Sequence, residues 1–307
     1  MRDAIRYATC SLVAQCILPA ESNQKDKPSD PHQKGNPSDP LGTHKLFLRK
    51  LLARPINLRR VHIFTLNYDT LIEQAADAEG IILLDGFVGT QRRVFRPEVY
   101  EQDIYFPGET TEGRVHRFDR LLHLYKLHGS ITWISSEPTP KNPYGVESLS
   151  LSSSSAFSSF PSDEIFERCI DDSNPSEKQR LIYPTPAKYG ETLGMPYAEL
   201  FRRFAASVVR PQSVLFVIGY GFGDEHVNKI IWQALAIPSL ILVIVDPSPS
   251  SPFVNMLLNQ NDQRIWLFSG KDAGKFSSFV EQFLPELHAD QIREKALETY
   301  RKLSGKF

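Results

Sequence analysis

The stretch that most constrains the fold of this chain is residues 64–73, which have the sequence F-T-L-N-Y-D-T-L-I-E. Apolar residues up to Leu66 predict the end of a buried strand, and the spacing after Asp69 predicts a helix with Asp69 or Thr70 as N-cap. Asn67 and Asp69 therefore follow the strand's carboxyl end, which is the edge where ligands bind in open α/β sheets. The alternative is that both residues only shape the turn.

Two later apolar runs end in the same kind of polar turn. Residues 124–130 (L-Y-K-L-H-G-S) place His128 directly after a strand, where a histidine is either structural or available to a ligand. Residues 215–224 (L-F-V-I-G-Y-G-F-G-D) end in glycines that let the backbone approach a ligand closely. We expect the three turns to form three walls of one cleft, with Asp224 as the N-cap of the next helix.

Strands alternate with helices along the chain, which predicts an α/β fold with a Rossmann-like, mostly parallel sheet and helices on both faces. The apolar run Val214–Ile218 is expected to be a central strand covered on both faces. Residues 87–120 show little periodicity, and we expect them to form an insertion beside the cleft. The further predicted strands cover residues 61–67, 81–84, 121–127, 181–184, 240–245 and 265–268. The predicted helices cover residues 1–18, 46–52, 71–76, 197–209, 226–235, 276–283 and 289–303.

We expect three parts in the chain. Residues 1–60 form a helical segment with a proline-rich loop, residues 61–270 form the core, and residues 271–307 form a C-terminal helical segment. The proline-rich residues 21–42 and the serine-rich residues 148–162 are expected to be exposed loops, because neither can bury enough apolar surface.

Charge and cysteine content exclude several classes of protein. The net charge of -1 gives no basic field for direct nucleic-acid binding. The three cysteines, Cys10, Cys16 and Cys169, cannot build a four-cysteine zinc site, so we expect no zinc. Few cysteines and the lack of an apolar run of ~18 residues favour a cytoplasmic protein that does not enter a membrane.

Together these motifs resemble the sirtuin-like NAD-binding superfamily, and most closely its bacterial branch in anti-phage defence proteins. That branch has T-x-N-Y-D-x-L-x-E, K-L-H-G-S-x-x-W, I-x-P and G-Y-G/S-F-x-D-x-H, in this order. The chain carries these motifs at residues 65–73, 126–133, 182–184 and 219–226. The resemblance covers about residues 45–250.

The resemblance implies that NAD is the substrate and that the bond between nicotinamide and ribose is broken. Asn67 would hold a water or a ribose hydroxyl, and His128 would accept a proton. These two residues are the predicted catalytic pair. The residues predicted to bind NAD are Thr65, Asp69, Gly219, Tyr220, Gly221 and Asp246.

The implied function is an NAD glycohydrolase effector that releases nicotinamide and ADP-ribose and depletes NAD upon infection. Related systems pair such a chain with a HerA-type DNA-translocating ATPase, a prokaryotic Argonaute or a fused sensor, so we expect a partner ATPase or sensor and an oligomer. Three alternatives stay open. The first is an NAD-dependent protein deacylase, a class that usually carries a zinc ribbon. The second is a non-catalytic binding or assembly module. The third is a dehydrogenase, which would need a G-x-G-x-x-G loop.

The chain departs from the family before Asn67. Family members open with a strand and a G-A-G-x-S-type loop that holds the NAD pyrophosphate at a helix amino end. Here the first 60 residues contain only Gly35 and Gly42. We expect a true start upstream of Met1 rather than a lost phosphate site, and without that loop the chain would bind NAD poorly. An in-frame glycine-rich segment in the upstream genomic DNA would decide between the two.

Overall fold

The computed structural model describes residues 39–55, 58–90, 92–106, 116–148, 179–181 and 194–285. The chain divides into two compact units. The first comprises Met1–Pro40 and His62–Val209, and the second comprises Leu41–Val61 and Arg210–Phe307. Several predicted features lie outside the described residues: the helices at 1–18 and 289–303, the loop residues 21–38 and 149–162, and the motif at 182–184.

The described strands are β1 (His62–Thr65), β2 (Ile82–Leu84), β3 (Phe87–Val88), β4 (Arg93–Phe95), β5 (Tyr105–Phe106), β6 (His116–Arg117), β7 (Leu121–Lys126), β8 (Gly129–Ser135), β9 (Val146–Ser148), β10 (Gln179–Leu181), β11 (Val214–Ile218), β12 (Ile241–Val245) and β13 (Ile265–Phe268). The helices are α1 (Gly42–Leu52), α2 (Leu71–Glu79), α3 (Tyr197–Val208), α4 (Glu225–Ala234), α5 (Pro252–Leu258) and α6 (Phe276–Ser278). A 3₁₀ turn covers Pro97–Glu101, and a π turn covers Phe279–Phe283.

The first unit contains a parallel sheet in the order β1–β7–β2. Its central strand β7 is buried along its whole length and has a partner strand on each side. Helix α2 buries Ala75 and Ala76, and α3 buries a stripe that includes Leu200 and Phe204. The predicted α/β class with parallel strands is therefore confirmed. The strand predicted to reach Asn67 ends earlier, at Thr65.

Residues 87–120, which are expected to form an insertion beside the cleft, contain short strands that the sequence did not predict. Strands β3 and β4 join an antiparallel sheet in the order β10–β8–β9–β4–β3. Its aromatic side chains pack together, with the rings of Phe87 and Phe95 at 5.1 and 6.3 Å from that of Trp133. Because β4 pairs with β9, some fifty residues later, local periodicity alone did not reveal the sheet.

The second unit contains a parallel sheet in the order β11–β12–β13. The strand predicted at Val214–Ile218 is present. The prediction that it is a central strand is wrong, because among the described strands it lies at the edge of the sheet. Strand β11 pairs there only with β12, and Val214 and Phe216 are nearly half exposed. The central strand is β12, where Leu242 and Ile244 are fully buried. An apolar β-branched composition thus marked a strand but not its position in the sheet.

A lysine of helix α1 binds the C-terminal part of the second unit. The Lys50 ammonium donates to the carbonyl oxygens of Val280, Glu281 and Leu284 at 2.7, 3.1 and 3.1 Å. This cation therefore caps the carbonyl groups that a helix end leaves without partners. The helix predicted over residues 276–283 is an α turn followed by a π turn. Across the described ranges, no helix has the length and apolar character needed to cross a membrane.

Candidate functional site

Two of the predicted polar turns lie side by side at one edge of the parallel sheet in the first unit. We call residues 65–70 the Asn turn and residues 126–131 the His turn. Strands β1 and β7 pair in parallel register directly before them, so both turns leave the sheet at its carboxyl edge. That edge is where ligands bind in open α/β folds.

Hydrogen bonds cross directly between the Asn turn and the His turn. The Leu127 N–H donates to the Thr65 carbonyl at 2.9 Å, and the Ile131 N–H donates to the Tyr68 carbonyl at 3.1 Å. The Ser130 hydroxyl donates to the same Tyr68 carbonyl at 3.4 Å. The two predicted catalytic residues therefore belong to turns that are in contact, although they lie far apart in the sequence.

Asn67 is exposed, and its backbone rather than its side chain maintains the turn. Its N–H donates to the Thr65 hydroxyl oxygen at 3.0 Å. Asp69 Oδ1 accepts from the Leu71 N–H, at the start of α2, at 3.1 Å. The side chains of Thr65 and Asp69 thus shape the Asn turn, and their contact with NAD stays a prediction. Changing the Asn67 side chain would leave its backbone bond in place.

His128 is buried, with 4% of its surface exposed, and it lies in the turn that follows β7. The ring centroids of Tyr68 and Phe201 lie 6.5 and 6.3 Å from the imidazole centroid. Gly129 follows with φ +88°, a conformation that favours glycine, and this lets the chain turn sharply into β8. The imidazole therefore sits beside aromatic rings, in surroundings with limited access to water.

Sequence reasoning gave no functional role to Tyr68, Lys126 or Phe201, although the first two belong to the paired turns and the third lies beside His128. Lys126 is buried at 4% exposure and bonds to the Asn turn through its side chain. A lysine inside the apolar run of β7 was the signal that could have identified it, because buried cations need partners.

The third predicted turn, residues 219–224, belongs to the second unit and connects β11 to α4. Gly219 has φ +63°, and a Cβ added at Gly219 or Gly221 would meet no atom within 4 Å. The Tyr220 hydroxyl donates to the Asp224 carbonyl at 2.9 Å, and burial, with the Asp224 charge, raises the pKa of Tyr220. Tyr220 therefore stays protonated at neutral pH and closes the turn. Its contact with NAD, like those of Gly219 and Gly221, stays a prediction.

Two aspartates of the second unit hold backbone amides. Asp224 Oδ1 accepts from His226 N–H at 2.9 Å and Val227 N–H at 3.4 Å, which confirms its expected role as the N-cap of α4. Asp246 follows β12 and accepts from the Ser248 N–H at 2.9 Å. Asp246 is thus at the carboxyl end of a parallel strand, as expected, while binding of a ribose to it stays a prediction.

Asp224→Ala should lower the free energy of unfolding by about 0.5–2 kcal/mol, because two amides at the start of α4 lose their acceptor. Asp224→Asn keeps a side-chain oxygen in place and should lie close to the parent. Chemical denaturation followed by circular dichroism measures both variants. Equal stability of Asp224→Ala and the parent would show that the cap is dispensable.

The family model of the SIR2-like domain matches residues 61–266, which is more than half of the chain and includes all three turns. No curated protein matches the chain.

Proposed function

The chain belongs to the SIR2-like domain family, and from this premise we propose that it hydrolyses NAD to nicotinamide and ADP-ribose. SIR2-like domains bind NAD. The observation that carries the proposal is the contact between the Asn turn and the His turn at the carboxyl edge of the parallel sheet. This contact puts an exposed carboxamide and a buried imidazole on neighbouring segments.

The proposed reaction breaks the bond between the nicotinamide nitrogen and the ribose carbon, and water supplies the new oxygen on that carbon. Nicotinamide leaves with the bonding electron pair, so positive charge develops on the ribose in the transition state. Asn67 would orient the water or a ribose hydroxyl without adding a charge of its own. His128 would accept the proton that the attacking water or the hydroxyl releases.

We propose the remaining predicted residues as contacts to the rest of NAD, on the strength of the family resemblance. Glycine backbone without a side chain suits close approach to a dinucleotide, and an acidic residue after a strand suits ribose hydroxyls. This assigns to NAD binding the residues Thr65, Asp69, Gly219, Tyr220, Gly221 and Asp246.

We propose a bacterial anti-phage defence system as the setting, with the chain as its NAD-depleting effector in the cytoplasm. The order and spacing of the sequence motifs support this branch. A partner ATPase or sensor would supply the trigger, and the working form would be an oligomer. The NAD content of infected cells tests the setting: it should fall with the parent gene and stay constant with a His128→Ala gene.

A second candidate is a non-catalytic NAD-binding or assembly module. The observation that favours it is the lack of a glycine-rich loop in the 60 residues before β1. A protein deacylase is a weaker candidate, because three cysteines cannot supply the four ligands of a sirtuin zinc ribbon.

Product analysis separates the three candidates. NAD is incubated with the natural, full-length protein, with and without an acylated peptide, and the products are resolved by chromatography. Hydrolysis yields equal amounts of nicotinamide and ADP-ribose, with or without the peptide. Nicotinamide release only with the peptide would identify a deacylase, and binding of NAD without turnover would identify a binding module.

A further inference from the structure

Lys126 is a buried cation in a strand whose other residues are almost all apolar. It is 4% exposed, and its neighbours Tyr125 and Leu127 are each 2% exposed. An ammonium group in such surroundings is costly unless it is hydrogen-bonded and paired. Lys126 meets this requirement through two acceptors, the carbonyl oxygen of Asp69 and Glu73 Oε1, the latter at 2.9 Å.

The two acceptors belong to the segment that carries Asn67. Asp69 lies in the Asn turn, and Glu73 lies in the first turn of α2. Lys126 itself is the last residue of β7, two positions before His128. One side chain therefore connects the strand that leads to His128 with the turn and the helix that follow Asn67.

The Lys126 bond completes a set of contacts between the two turns. Backbone amides of the His turn already hold the carbonyls of Thr65 and Tyr68. Lys126 holds the next carbonyl, that of Asp69, so that three carbonyls of the Asn turn have donors from the His turn. Asn67 lies between the first and the second of these anchor points.

Lys126 also affects the pKa of Glu73. Burial raises the pKa of the Glu73 carboxyl group, and Lys126 opposes the rise through its charge and its hydrogen bond. Without Lys126 the carboxylate would lose its closest cation and would take up a proton more readily. Lys126 thus favours the charged form of Glu73, against the effect of burial.

We propose that Lys126 is a positioning residue, which fixes the Asn turn against the His turn and so sets Asn67 in place relative to His128. The inference rests on the proposed hydrolysis of NAD. Stability alone does not require a lysine here, since buried ion pairs can often be replaced by apolar side chains without loss. Only a long side chain that ends in a donor can reach Asp69 and Glu73 together.

Lys126→Met tests the proposal, because methionine keeps the length and the apolar stem but has no donor. We expect kcat for nicotinamide release to fall about 10²-fold with KM within about threefold, since small misplacements of reacting groups have effects of this size. Glu73→Gln keeps an acceptor for the ammonium and should have a smaller effect. Lys229→Met removes a lysine from an exposed pair with Glu225 and should keep the parent kinetics.

The exchanged pair, Glu73→Lys with Lys126→Glu, separates positioning from a simple ion pair. It restores opposite charges, but it places an acceptor where the Asp69 carbonyl needs a donor. We expect no recovery of kcat. Recovery of kcat in the exchanged pair would overturn the proposal. So would a loss of activity in Lys126→Met that merely matches its loss of folded protein.

Hydrogen exchange gives a readout that does not depend on NAD chemistry. In Lys126→Met the amides of Asn67 and Leu71 should exchange about tenfold faster or more, because the bonds of the Asn turn open more often. Exchange in the sheet of the second unit should not change. If the parent fails to cleave NAD, the proposed function fails, while unchanged exchange in the Asn turn would overturn the role of Lys126 by itself.

Discussion

His128→Ala should lower the rate of nicotinamide release by roughly 10²–10⁴-fold, the range expected when a general base is removed. The imidazole is buried, and the rings of Tyr68 and Phe201 limit its contact with water. Alanine leaves no group at this position that could accept a proton. Nicotinamide release at saturating NAD, measured at equal concentrations of folded protein, gives the effect on kcat.

A second histidine provides the control for that loss. His44 lies in α1 of the second unit, where its ring packs at 5.3 Å from that of Phe276. His44→Ala removes an imidazole of the same kind and should keep the parent kcat. A full rate in folded His128→Ala would contradict the assignment of His128 as the base. Loss of folding in His128→Ala would show instead that the buried ring is structural.

Asn67→Ala should reduce nicotinamide release by a factor of similar rank, roughly 10²-fold or more, through loss of water or ribose positioning. The variant is a clean test because the bond to Thr65 uses the Asn67 backbone N–H, which alanine keeps. Asn67 is exposed, so the free energy of unfolding should change by no more than about 0.5 kcal/mol. Kinetics and denaturation of the same preparation give both numbers.

Thr65→Val distinguishes the effect of the geometry of the Asn turn from the effect of the Asn67 carboxamide. Valine has the shape of threonine but cannot accept the Asn67 N–H, so the turn should loosen while the carboxamide stays. A loss of activity in Thr65→Val with full activity in Asn67→Ala would mean that the turn geometry matters and the carboxamide does not. That outcome would favour the simpler interpretation of Asn67 as a turn residue.

Most elements of the fold could be predicted from the sequence because their signals are local. The strand before Asn67, the helix α3 and the cap at Asp224 follow from apolar spacing and from N-cap chemistry within a few residues. The antiparallel sheet was missed because β4 depends on β9 for its partner, and no spacing within residues 87–120 records that pairing.

The place of a strand within its sheet was also beyond local reasoning. Strand β11 has the composition of a central strand, yet Val214 and Phe216 are nearly half exposed and β12 is the buried one. An apolar composition indicates how deeply such strands are usually buried. The neighbours of a particular strand depend on how the whole chain folds.

In the candidate site too, local features could be predicted and contacts between distant segments could not. Asn67 and His128 could be selected as candidates from their position after strands and from the motifs around them. The bonding partners of Lys126 could not be predicted, because they depend on the register that puts Lys126 opposite Thr65 across β1 and β7. Strand pairing over sixty residues therefore creates the contact between the turns that the proposed chemistry requires.

The central claim is that the Asn67 and His128 turns hydrolyse NAD, and one time course tests it directly. Nicotinamide and ADP-ribose are measured together over time for the natural, full-length protein with its partner and for its Asn67→Ala and His128→Ala variants. We expect equal, linear release of both products by the parent and a loss of roughly 10²-fold or more in each variant. Release of neither product by the folded parent, or undiminished release by both variants, would contradict it.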